Sequence, residues 1–425
     1  MKEDTVMLNK LITQLKSSLT PYHAAETAAR ELDGRGYTRI EEGEKWDIRF
    51  GGKYYVTRGG SAMIAFSVGT RPGGYRIVAS HLDSPALAVK GNPVNTVGGT
   101  AKLNVERYGG ALNYTWLDTP LYLAGRVVRH DGETNTLKTD LVCDTHKLLI
   151  PSLAIHFNRE ANTSLTLNAQ TDLQPIYGLG ECSFPPKSFG DDIVESELFL
   201  VNATEPYFAG QNDELLVSPR IDNLTSVFAS IEALDGAGDS GVSVAFLADA
   251  EEVGSRTKEG AGSDFLAATL RRIAEALDID LDTTLATSFL VSCDNAHAIH
   301  PNHPEKSDPT NPVTLGGGVV IKHHANRNYT TDAVSAAVFK SILKDNNLPY
   351  QDFYMRSDLP CGSTLGAISS SHVSIPSVDI GIAQLSMHAS VESMAAADYK
   401  TMVAALSAFY ASTITVKRDG EITLA

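Results

Sequence analysis

The run VSVAFLADAEEVG, residues 242–254, stays apolar for the length of a strand and then stops at two adjacent carboxylates, Glu251 and Glu252. Bounded by Gly241 and Gly254, it suits a strand buried on both faces, as in the parallel sheet of an α/β protein. Open α/β sheets bind ligands in the crevice outside the carboxyl edge of their strands, and the acid pair would stand at that edge. Adjacent carboxylates repel each other, so one can serve as a metal ligand while its neighbour keeps a separate role as proton acceptor. The plain alternative is a Glu-Glu pair that only opens a solvated loop. Whether other apolar runs end in metal-binding residue types decides between the two.

At 425 residues the chain exceeds one ordinary core, so two domains, or one large domain with a sizeable insertion, are expected. A hydrophobic content of 43% supports full folding. The formal net charge of -16 argues against a nucleic-acid partner or an anionic membrane surface. Cys143, Cys182, Cys293 and Cys361 lie far apart with no CxxC pair, which fits reduced thiols in a cytoplasmic protein. The first residues, MKEDTVMLNKLITQL, are charged and amphipathic and read as a helix rather than a signal peptide. No segment offers the roughly 18 continuous apolar residues of a membrane span.

Leu8, Leu11, Ile12 and Leu15 recur at helical spacing, and a second helical stretch covers Ala24 to Leu32. Two β-rich runs around Gly59-Gly60 predict a hairpin. The next run, YRIVAS, reaches His81 in SHLDSP, where the Asp83 carboxylate is placed to accept the second imidazole proton and fix the tautomer. From residue 89 to 214 short β-rich pieces alternate with Gly, Asn, Asp and Thr turns. This texture predicts a β-rich insertion between the parts 1–88 and 215–425 of an α/β catalytic domain, whose central sheet is mostly parallel and flanked by helices. The insertion carries His156 and Arg159 in HFNREAN.

Leu224, Val227, Phe228, Ile231 and Leu234 follow helical spacing, which sets Asp222 at a helix start. Asp222 is open to two readings there, a helix N-cap or a metal-bridging carboxylate. A further apolar run ends at Asp294. His297, His300 and His303 follow it at three-residue intervals, but Pro301 and Pro304 interrupt any helix that would align them, so loop or supporting roles are expected. The run through SIPSVDIGIAQLSM ends at His388. Thus His81, Asp222, Glu251, Glu252, Asp294 and His388 all fall at predicted strand ends or a helix start. Two imidazoles and several carboxylates without a thiol suit zinc, with manganese or cobalt as alternatives, in a hydrolytic centre.

The segments ASHLDSP, SPRIDNL, DAEEVGS, SCDNAHAIHPN and LSMHAS, in that order across nearly the whole chain, resemble the M18 metallopeptidases, the aspartyl aminopeptidase family. The resemblance implies two divalent metal ions per subunit. Asp222 would bridge them, His81 and Asp294 would complete one site, and Glu252 and His388 the other, with Glu251 as general base. It also implies hydrolysis of an amino-terminal Asp or Glu from peptides, a β-rich dimerisation domain at 89–214, and a homo-oligomer that in the family is commonly a dodecamer. IPSLAIHFNR is similar to the family segment that supplies a histidine to a neighbouring subunit, which would be His156. Lys322, with Arg356 behind it, is the candidate cation for an acidic first residue, and both can equally be surface cations. Rival readings are a dinuclear aminopeptidase of the M42 type with neutral specificity, and a shell-forming protein that holds metals without turnover.

Overall fold

The computed structural model describes residues 2–418 and 420–425. Among these residues the largest element is a nine-stranded sheet in the order Thr38–Arg39, Lys53–Arg58, Ala62–Val68, Ser240–Ala248, Arg71–His81, Phe289–Cys293, Ser377–Gly381, Val319–His323, Tyr350–Tyr354. Its four middle strands, Ser240–Ala248 to Ser377–Gly381, run parallel. Antiparallel partners flank them on both sides. The Gly59-Gly60 hairpin forms as its sequence predicts, between Lys53–Arg58 and Ala62–Val68.

Both faces of this sheet are covered, which explains the unbroken apolar runs. Along Ser240–Ala248, Val244 and Phe246 join one core layer with Phe265, Leu270 and Ile273 of the helix Phe265–Leu277. Ala245 and Leu247 join the opposite layer, built by the helices Lys2–Ser17, Pro21–Gly34, Ile221–Ala233, Ala333–Asp345 and Ala396–Ala411. The alternation follows from the two-residue period of a strand.

Residues 86–202 build a second, six-stranded antiparallel sheet, in the order Thr136–Leu148, Leu121–Asp131, Ile193–Asn202, Ala86–Val97, Thr100–Tyr108, Ile176–Leu179. It has its own core of Leu87, Leu103, Leu123, Val127 and Leu200. Its α-helix, among the described residues, is the single turn Ala169–Asp172. The strand Tyr207–Ala209, which the sequence texture assigns to the insertion, pairs instead with Leu215–Ser218. Both belong to a five-stranded sheet completed by Glu392–Ala395, Ala383–Leu385 and Ala296–His297. That small sheet ties the chain on either side of Asp222, Asp294 and His388 together. The four cysteines are unpaired. Among the described residues no helix is long and apolar enough to cross a membrane.

Candidate metal centre

Parallel pairing brings strand ends level with one another. Ala248 lies opposite His81 in the register, and Ser292, two residues before Asp294, pairs with Ala79. His81, the Glu251-Glu252 pair and Asp294 therefore leave one carboxyl edge together. Asp222 reaches them from the start of Ile221–Ala233, and His388 from the loop between Ala383–Leu385 and Glu392–Ala395. One donor atom from each of His81, Asp222 and Asp294 lies within 4.8 Å of the others, and the same holds for Asp222, Glu252 and His388. The two groups share Asp222.

His81 Nε2 stands 3.6 Å from both Asp222 Oδ1 and Asp294 Oδ1. His388 Nε2 stands 3.5 Å from Glu252 Oε2 and 3.8 Å from Asp222 Oδ2. Asp222 Oδ1 and Glu252 Oε1 are buried and have no hydrogen-bond partner among the described residues. A buried carboxylate oxygen is costly to leave unpaired, and a cation between these groups would satisfy both. The donor set, imidazole and carboxylate without thiolate, fits zinc. The N-cap position of Ile221–Ala233 is Arg220, and Asp222 Oδ1 accepts no hydrogen bond among the described residues, which speaks against the N-cap reading of Asp222.

Electrostatics point the same way. Burial raises Glu251 to about 8, His81 opposes the rise, and Asp294, Asp83 and Asp222 add to it. Glu252 is pushed well above the usual carboxylate range by burial and then by Asp222. Burial opposes the charged form of His81, but the surrounding carboxylates of Asp222, Asp294 and Asp83 outweigh it and lift the imidazole well above its ordinary range. Burial also works against ionised Asp294, yet the Lys322 charge and His81 hold it low. Carboxylates crowded until some must keep protons form a site whose repulsion a divalent ion reverses.

Asp83 acts differently from the expectation that its carboxylate takes the imidazole proton. His81 Nδ1 lies 3.0 Å from the Asp83 backbone oxygen and 3.4 Å from its Oδ1. Bonding of Nδ1–H to that carbonyl still leaves Nε2 free to face Asp222 and Asp294. The Asp83 carboxylate instead accepts the backbone N–H of Glu251 and of Glu252, both at 3.1 Å, and the Tyr108 hydroxyl at 2.8 Å. It pins the turn that presents the acid pair.

Three contributors escape the sequence pattern. Glu392, buried, accepts the backbone N–H of Asp222 at 2.9 Å and of His388 at 2.8 Å, so one carboxylate positions residues from both groups. Gly109 and Gly110, from the six-stranded sheet, press on the centre: a Cβ at Gly110 would lie 3.1 Å from His388 Nδ1, and one at Gly109 would lie 3.0 Å from Glu252 Cβ. Glu392 has a faint signal in its spacing from His388; the glycines have none, because their role is to leave space.

The centre opens into a cavity of ≈ 310 Å³. Lys322 lines it and is not a surface cation: it is 2% exposed, with Nζ donating to Asn295 O at 3.2 Å and 3.7 Å from Asp294 Oδ2. Arg356 is not brought here. It lines a neighbouring cavity, with Nε on Asp358 Oδ1 at 2.6 Å and Nη1 on the Glu305 carbonyl. Of the three spaced histidines, His297 lines the metal-centre cavity and the neighbouring one, His300 lines the neighbouring one, and the His300 and His303 rings lie tilted with centroids 5.2 Å apart. His156 is exposed, between the exposed apolar Ile155 and Phe157, and is not among the residues lining the cavity of its own chain.

The aminopeptidase I zinc metalloprotease (M18) family model matches residues 14–410. A protein of Pseudomonas aeruginosa (strain UCBPP-PA14) named "Probable M18 family aminopeptidase 2" is 40% identical over 422 residues, covering 95% of this chain and 97% of that one. The protein of the same name from Ectopseudomonas mendocina (strain ymp) is 38% identical over 424 residues, covering 96% and 98%. Among solved structures, Ape4 in its complex with Nbr1 superposes with a TM-score of 0.91 at 33% identity, covering 96% of this chain and 86% of that one. The S. cerevesiae mApe1 dodecamer superposes with a TM-score of 0.84 at 25% identity, covering 96% and 97%. With a family model spanning nearly its whole length, the chain belongs to the M18 family of zinc metalloaminopeptidases.

Proposed function

We propose that this aminopeptidase works with two divalent ions and removes an acidic first residue, Asp or Glu, from peptides. The observation that carries the reading is the shared Asp222: two ligand groups meet at one carboxylate, with the uncommitted Glu251 beside them. His81, Asp222 and Asp294 would hold one ion, and Asp222, Glu252 and His388 the other. Bound there, the ions would supply Lewis acidity to the first peptide carbonyl and to water. Glu251, held in place through its backbone N–H on Asp83, takes the proton of the attacking water and returns it to the leaving amine.

Lys322 supports the acidic preference. A chain of net charge -16 repels acidic substrates, so a local cation has to overcome that field, and Lys322 brings one into the cavity wall. The remaining side of the developing oxyanion is assigned to His156 of a second copy. The segment that carries it is exposed along with Leu153, Ile155 and Phe157, an apolar edge suited to burial against another subunit. By analogy with the dodecameric relative, the assembly is assigned to a dodecamer, and the six-stranded insertion, residues 86–202, which carries that apolar edge, is assigned to subunit pairing.

Glu251→Gln tests the core of this reading. The amide keeps the size of the side chain but cannot accept the proton, so zinc content should be unchanged and kcat at least about 100-fold lower. Near-normal turnover in a fully metallated preparation would remove Glu251 from the mechanism.

A further inference from the structure

A second cavity, also ≈ 310 Å³, adjoins the metal-centre cavity, and His297 lines both. Phe353 ties the two together: its ring lies 6.3 Å from that of His297 and 6.4 Å from that of Tyr329, which lines the metal-centre cavity. The second cavity is walled by apolar groups, with Ala298, Val313 and Phe353 buried and Met355 and Leu359 partly buried. Its charges offset one another. Arg356 is paired with Asp358, while Lys306 and Asp308 contribute one charge of each sign.

We propose that this cavity receives the side chain of the substrate's second residue and selects large apolar ones, aromatic or branched. The proposal rests on the aminopeptidase reading of the metal centre. A peptide whose first carbonyl lies at the metals fills the Lys322 cavity with its first residue, and its second residue must then leave towards an adjoining space. Across His297 that space has an apolar wall, with Arg356 held by Asp358, so a very small side chain gains little there, whereas an aromatic one is removed from water. Well-formed apolar pockets discriminate by about 10-fold or more for even modest differences in size.

The test compares kcat/KM for Asp-Phe-Ala and Asp-Gly-Ala with the assembled, zinc-loaded enzyme. The native protein should favour Phe by about 10-fold. In the double variant Met355→Ala, Leu359→Ala this ratio should fall towards one. In Leu359→Glu the preferred second residue should move towards Lys and Arg. An unselective native enzyme overturns the proposal, as does a double variant that slows both peptides equally or changes the first-residue preference instead. If Leu-first peptides are cleaved and Asp-first ones are not, the acidic-specificity reading fails on its own, and the second-residue ratio is read from Leu-Phe-Ala and Leu-Gly-Ala. If no peptide is cleaved, the aminopeptidase reading fails and this inference with it.

Discussion

Lys322 stands where a positive charge costs most to bury, and its surroundings show how that charge is kept. Its ammonium donates to Asn295 O, faces Asp294 and lies 5.1 Å above the Tyr329 ring. Lys322→Met keeps the length of the side chain and removes the charge. KM for an Asp-first peptide should rise about 10-fold or more, the scale of losing one charged contact, with little change for an Ala-first peptide. An equal effect on both would exclude a role in selecting charge. At this scale the sequence announces residues whose side-chain type matters. His81, Asp294 and His388 stand out because each ends an apolar run, and Glu251 and Glu252 because they end one together. Glu392 and Asp83 act mainly through backbone amides they accept, and no residue type advertises that. Whether Lys322 is buried or exposed is equally illegible locally, since it depends on the neighbouring strand Ser377–Gly381 and on Tyr329.

The elements that meet at the centre come from different sheets. The parallel strands were legible because a strand buried on both faces is written as a continuous apolar run. The helix Phe265–Leu277 was legible from the spacing of Phe265, Leu266, Thr269, Leu270 and Ile273, its buried face. The five-stranded sheet was not: its members are three or four residues long, or two, and come from distant parts of the chain, so periodicity has too few residues to act on. The turn Gly109-Gly110, following Thr100–Tyr108, is where the six-stranded sheet touches the ligands. Its carbonyl at Gly110 lies 3.3 Å from His388 Nδ1, which orients that ring as the Asp83 carbonyl orients His81. On the two-ion proposal, Gly110→Val should push His388 out of line and weaken binding at the Asp222, Glu252 and His388 group about 10-fold or more, while binding at the His81, Asp222 and Asp294 group is kept. Competitive zinc titration of metal-depleted protein reads the two affinities separately; unchanged binding of both would mean that the turn does not support the ligand.

At the scale of the whole molecule, His156 is exposed and does not line the cavity of its own chain, so the proposed role needs a second subunit to supply it. Mixing the inactive variants His156→Ala and Glu251→Gln under subunit exchange should restore part of the activity, because some mixed pairs then hold one site with both native residues. Confirmed exchange without recovery would end the shared-site reading. The presence of the β-rich insertion was legible from its turn-rich texture, but not its contact with the ligands, because a docking surface leaves no periodic trace. The spacing of the candidate ligands along the chain, from His81 through Asp222, Glu252 and Asp294 to His388, has one more consequence. A ribosome makes these residues in sequence, and the group with His388 cannot close until nearly all of the polypeptide has emerged. A nascent chain therefore lacks one of the two candidate groups, and a cut anywhere between residues 222 and 388 leaves Asp222 and His388 of that group on separate pieces.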